Sequence, residues 1–166
     1  MQPKIIEMEK RYITGMFGAI FPLKKQGALR TEFKNCYEEK PFDKFDKYDC
    51  HIYFWKMPDK QRTYFFGYET EGVVESDDFT TIELPSCEWA IFEVIPAKWW
   101  ESGDKEVEGW VKKNKEYNWL KYDGSVYQLE YYKEKFMGAE NPDSRMEIWY
   151  PLEKNNLILN RGKTNG

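Results

Sequence analysis

Twice along this chain a strand-forming stretch is followed by a helical one and then by two more strands, and this doubled order constrains the fold more than any other feature. Residues 4–17 (KIIEMEKRYITGMF) are rich in β-branched and aromatic side chains and read as a strand, with Gly15 and Gly18 marking a bulge or its end. Over residues 28–39, Leu29, Phe33, Cys36 and Tyr37 fall at i, i+4, i+7 and i+8, one face of a helix that Pro41 stops. Residues 50–57 (CHIYFWKM) and 63–69 (TYFFGYE) are strands joined through the polar Pro58-Asp59-Lys60-Gln61, hence a hairpin.

The second half repeats the order without sequence identity. Residues 80–84 and 88–95 (EWAIFEVI) read as one strand broken at Pro85-Ser86. Asp104 is placed to cap a helix with Glu106 and Glu108 in its first turn and Lys112, Lys113 and Lys115 later, an order that complements the helix dipole. Val107, Trp110 and Val111 share its buried face. A turn at Asp123-Gly124 leads to a strand over 126–132 (VYQLEYY), then a loop over 134–144 with Gly138 and Pro142, then a last strand over 145–152 (RMEIWYPL). A single domain over 1–154 follows, with repeats at about 1–75 and 76–154 and a fraying tail at 155–166. Gly162-Lys163-Thr164 in that tail lacks the earlier glycine of a phosphate-binding loop, because position 157 is Leu.

Composition narrows the function. With 41% hydrophobic and 33% charged residues the chain is neither disordered nor membrane-spanning, and MQPKIIEMEKRY has no apolar signal core, so a cytoplasmic home is expected. A net charge of −4, with Lys and Arg interspersed among acids, argues against direct nucleic-acid binding. Cys36, Cys50 and Cys87 are odd in number and widely spaced, which reads as free thiols. With His51 the single histidine and no paired ligand spacing, neither a metal nor a cofactor is expected. The anomaly is aromatic: seven Trp, twelve Tyr and eleven Phe, more than a core alone needs, so an aromatic-lined cavity is a natural place for the surplus.

The segments DFTTIELPSCEWAIFEVIP, VEGWVKKNKEYNWL, VYQLEYYKEKF and SRMEIWYPLEK, in that order, resemble the second half of a gyrase-inhibitor-like, AraC-type effector-binding domain. KIIEMEKRYITGMFG and TYFFGYE resemble its first half. The resemblance implies an α+β fold: two strand-helix-strand-strand repeats with pseudo-twofold symmetry, an antiparallel sheet with two helices and a central ligand cleft. It also implies binding of small hydrophobic, cationic or polyaromatic compounds, for sensing or sequestration in transcription regulation and multidrug binding. Two other roles come with the family. One is a hydrolase that opens strained cyclopropane rings of alkylating compounds, and the other is an inhibitor that binds a protein partner such as a topoisomerase. With no helix-turn-helix segment ahead of Lys4, the expectation is a domain that works alone or beside another chain.

Glu130 matches the glutamate that the family places on a central strand facing its cleft. Strand alternation puts Val126, Gln128, Glu130 and Tyr132 on one face, where a desolvated carboxylate calls for a positive partner. If the protein is an enzyme, Glu130 activates water and Tyr132 or Tyr53 supplies a proton. Trp149, Tyr53, Trp55 and Tyr68 are further candidates for the cleft wall, and so is Trp110, for which packing competes. Trp149 shares a face of the last strand with Glu147. Trp99 and Trp100, read as part of a connector, are expected at an exposed lip or lid. Glu93, on a face with Ile91 and Ile95, is a second candidate for an inward acid.

Overall fold

The computed structural model describes residues 1–19, 24–56 and 61–156. Among them the chain runs β1 (Lys4–Met8), β2 (Arg11–Ala19), α1 (Lys24–Glu39), β3 (Asp49–Lys56), β4 (Gln61–Thr70), β5 (Thr80–Leu84), β6 (Cys87–Val94), α2 (Pro96–Ser102), α3 (Lys105–Lys113), β7 (Tyr117–Trp119), β8 (Lys121–Tyr122), β9 (Ser125–Tyr132) and β10 (Met146–Lys154). All strand pairs in the register are antiparallel, and the main order is β1-β6-β10-β9-β3-β4-β2-β5, with β7 beside β10 and β8 beside β9.

That order is a palindrome of the two repeats. Exchanging β1 with β5, β2 with β6, β3 with β9 and β4 with β10 reverses it onto itself, which is the pseudo-twofold. The axis passes between β3 and β9, the central pair. The repeats also trade their first strands: β1 pairs with β6 of the second half, and β5 pairs with β2 of the first. Residues 4–17 are therefore two strands and not one, divided at Glu9-Lys10, just as Pro85-Ser86 divides β5 from β6.

This trade forces the sheet to roll. β1 lies at one edge and β2 is seventh of eight, so a flat sheet would hold them about 29 Å apart at roughly 4.8 Å per strand. Met8 and Arg11 are three Cα steps apart, about 11 Å at most. The inner face of the roll buries Ile13, Ile52, Phe65, Ile82, Trp89, Leu129 and Trp149. Arg11 shows how far the open sheet curls, because its guanidinium lies across the core over the rings of Trp149 on β10 (4.8 Å) and Trp89 on β6 (5.3 Å). β2 and β4 approach so closely at Gly15 and Gly67 that a Cβ on Gly15 would sit 1.9 Å from the Phe66 carbonyl oxygen, which restricts the position to glycine.

The outer face carries the helices. α1 packs on β2 and β4, burying Leu29 and Phe33 against Tyr53, Tyr64, Phe66, Tyr68 and Phe79. α3 packs Val107 against Phe92, Val94, Ile148 and Tyr150 of β6 and β10. Its start is fixed as the sequence reading expects: Asp104 Oδ1 accepts from the backbone N–H of Glu106 (2.8 Å) and Val107 (3.4 Å). Each helix covers its own half, which leaves the central strands β3 and β9 less covered on this face. The expected turn at Asp123-Gly124 is present, with φ of 45° and 75°. Pro58, Asp59 and Lys60 of the expected hairpin turn, and the Gly162-Lys163-Thr164 segment, lie outside the described residues. No helix among the described residues is long and apolar enough to cross a membrane.

Candidate functional site

The site is built on the central pair. In the register of β3 and β9, His51 stands opposite Glu130, Tyr53 opposite Gln128 and Trp55 opposite Val126, so these six share the helix-bearing face. Glu130 is 2% exposed. Its Oε1 accepts from the Trp99 indole N–H at 2.9 Å and its Oε2 from the Tyr132 hydroxyl at 2.8 Å. Burial raises the Glu130 pKa above the usual carboxylate range, and hydrogen bonds from Trp99, Tyr132, Trp100 and Tyr53 partly offset that. These donors are all neutral. The same carboxylate acts on its neighbours: the Tyr132 phenol is held well above its ordinary pKa by burial and then by the charge of Glu130.

Two cavities meet here. One, of about 680 Å³, has Glu130, Gln128 and Val126 in its floor and Tyr53, Trp55, Trp119 and Tyr150 among its walls. The other, of about 760 Å³, lies over His51 and Tyr132, with Phe136 as a further aromatic wall. Trp100 borders both, and at 40% exposure it forms the rim between them. His51 is buried with its Nδ1 engaged by the Tyr64 hydroxyl, and burial lowers its pKa well below the ordinary value, so the imidazole is neutral. Among the described residues no three His, Cys, Asp or Glu side chains cluster as a metal site would require, and Cys36, Cys50 and Cys87 are free thiols.

The structure sorts the sequence candidates. Glu130, Tyr53 and Trp55 line the first cavity, and Tyr132 links the two, its hydroxyl on Glu130 and its ring in the second. Trp149 does not join them. In the β9–β10 register Glu130 pairs with Ile148, so Trp149 points to the opposite face, where it packs with Trp89 and Tyr131. Tyr68 is 4% exposed and packs under α1 against Phe33 and Tyr37, away from both cavities. Trp110 packs edge-on against Phe92 at 5.6 Å. Glu93 is not an inward acid: it is exposed and paired with Lys135 at 2.8 Å.

The sequence reading does not single out Trp119, Tyr150, Phe136 and His51 as wall residues, or Gln128 and Val126 as floor groups. The parity of Gln128 with Glu130 was a usable signal, whereas Tyr150 and His51 needed cross-strand register. Trp99 and Trp100 are not in a connector. Pro96 at N1 starts the helix α2, which turns Trp99 inward onto Glu130 and leaves Trp100 at the rim.

No family model matches the sequence, and no curated protein matches it. Solved structures do match its fold. The structure of SAV2435 bound to tetraphenylphosphonium aligns with a TM-score of 0.63 at 16% identity, covering 92% of this chain and 94% of that one. The EcmrR C-terminal domain aligns with a TM-score of 0.68 at 11% identity, covering 93% and 98%. A hydrolase from Listeria innocua aligns with a TM-score of 0.53 at 6% identity, covering 92% of each chain. At these identities the likeness establishes the shared fold.

Proposed function

We propose that this chain belongs with the gyrase-inhibitor-like effector-binding domains and binds small lipophilic cations bearing aromatic rings, with Glu130 as the counter-charge. The observation that carries this reading is a buried carboxylate whose hydrogen-bond donors are neutral, beneath a wall of indole and phenol rings. A buried ionised carboxylate costs several kcal/mol unless a cation accompanies it. An entering cation supplies that partner, and each ring it passes over adds about 0.5–2 kcal/mol. The likeness to SAV2435, solved with tetraphenylphosphonium, supports the same ligand class here. EcmrR, whose C-terminal domain shares this fold, was solved in complex with DNA, which supports a sensing role in regulation.

The test is quenching of tryptophan fluorescence by tetraphenylphosphonium and by neutral triphenylphosphine oxide, on the native protein and on Glu130→Gln. Micromolar quenching by the cation that weakens in the variant, with the oxide indifferent to the substitution, is the expected result. Equal cation affinity in both proteins overturns the assignment.

A hydrolytic role is the second reading, favoured by the Tyr132–Glu130 hydrogen bond and by the Listeria innocua neighbour. In it Glu130 takes a proton from water and Tyr132 delivers one to the leaving atom. A phenol whose pKa is pushed far above neutrality is a poor proton donor, and for that reason binding ranks first. Turnover of a strained-ring substrate that disappears in Glu130→Gln would reverse the ranking.

A further inference from the structure

We infer that the preferred ligands are dipolar, with an anionic group tethered to the aromatic cation, because the two cavities flanking Trp100 carry opposite charge. This rests on the cation reading of Glu130 and deepens it.

Among the described residues lining the Glu130 cavity, Glu101, Glu108 and Glu130 outnumber Arg62 and Lys112. In the second cavity Arg30, Lys47 and Lys133 face one acid, Asp49. That acid is already satisfied twice, by Arg30 at 3.1 Å and by Lys34 at 2.9 Å, so cationic charge is in surplus on this side. Lys133 is held by Glu147 at 3.0 Å, whereas no described carboxylate pairs with Lys47. Burial is the main cause of the lowered His51 pKa, and the positive charges of Arg30 and Lys34 lower it further.

The cavities are separate in charge but adjacent in space. The Tyr132 ring lines the basic one while its hydroxyl is 2.8 Å from Glu130, and the Trp100 ring stands 6.3 Å from that of Tyr132. A ligand whose cation sits against Glu130 therefore has only the Trp100–Tyr132 rim to cross before a tethered anion meets Lys47 and Arg30. Such a ligand satisfies both fields at once. A simple cation satisfies one and meets repulsion at the other.

The probes are (4-carboxybutyl)triphenylphosphonium, dipolar at neutral pH, and its methyl ester, the same cation without the anion. Affinities are read by tryptophan quenching at low ionic strength on the native protein, Lys47→Glu, Arg30→Gln and Glu130→Gln. The acid is expected to bind roughly tenfold more tightly than the ester, a preference that shrinks in high salt. Lys47→Glu and Arg30→Gln are expected to erase the preference by weakening the acid, while ester affinity holds or rises as the repulsion on the basic side is relieved. Glu130→Gln is expected to weaken both probes. Equal affinity for acid and ester in the native protein overturns the dipolar inference while leaving the cation reading intact. A preference that survives in both basic-side variants also overturns it, since the anion is then held elsewhere. Indifference of both probes to Glu130→Gln instead removes the cation reading on which the inference stands.

Discussion

Trp99, on a helix of seven residues, places its indole nitrogen 2.9 Å from the Glu130 carboxylate on β9, so the buried charge is held by an element outside the sheet that carries it. The neutral indole cannot balance the charge. Four measurable consequences follow from this contact and from the side of the sheet on which each neighbour lies.

The acid should cost the empty protein stability at neutral pH. Burial raises the folded-state pKa of Glu130, so the folded state binds more protons than the unfolded one between the two values. Its contribution is fully present below the unfolded pKa and is lost as pH rises through the folded one. Glu130→Gln should therefore melt higher than the native protein at pH 8, and the gap should close on acidification toward pH ~4.5, near the unfolded carboxylate value. Thermal melts of both proteins across that range check it. Cation affinity should be at least about 30-fold weaker in the variant at neutral pH, the loss of roughly 2 kcal/mol expected when one member of a buried charge pair is removed.

Trp99→Phe keeps a ring and removes the donor. Without that hydrogen bond the carboxylate is less stabilised, and its pKa should rise further. The pH at which cation binding is half lost should move up by about one unit, the equivalent of one charge-assisted hydrogen bond. An unchanged binding profile against pH would show that the indole contact does not tune Glu130.

Trp149 and Trp55 make a controlled pair, because they lie on opposite faces of one sheet. Trp149→Ala empties a core position and should cost about 3–5 kcal/mol in urea unfolding with ligand affinity preserved in the folded fraction. Trp55→Ala removes a half-buried cavity wall and should do the reverse: a small stability change and roughly a three- to tenfold affinity loss.

Arg11→Met tests the rolled core. Arg11 is 8% exposed, and its guanidinium lies 3.8 Å from Glu69 and stacks on Trp89 and Trp149. Removing it leaves Glu69, already raised in pKa by burial, without its counter-charge, at a cost of about 3 kcal/mol. Protonation of Glu69 relieves that cost, so the gap from the native protein in chemical denaturation should be largest at neutral pH and shrink as pH falls. Ligand affinity should not change, since Arg11 and the cleft lie on opposite faces.

Local order was legible because its physics is local. The i, i+4 spacing of Leu29 and Phe33, the Asp104 cap and the Asp123-Gly124 turn each act within a few residues, and each is where the sequence places it. The company of Glu130 on β9, Gln128 and Tyr132, follows from the period of two in a strand. That period says which residues share a face and leaves open which face it is. The pairing of Glu130 with Ile148 turned Trp149 away and brought Tyr150 to the wall, since a shift of one residue would exchange them. Glu93 keeps the face of Ile91 and Trp149 but stands next to the last residue of β6, where it is exposed and pairs with Lys135. The division of residues 4–17 at Glu9-Lys10 and the trade of β1 for β5 also depend on strands distant in sequence, as does the approach of Trp99 to Glu130. The sequence by itself determined most of the elements, their doubled order and which residues share a strand face with Glu130. The tertiary structure alone decided which rings surround that residue and which charged side chains line its two flanking cavities, because register and sheet curvature are set by contacts between segments far apart along the chain.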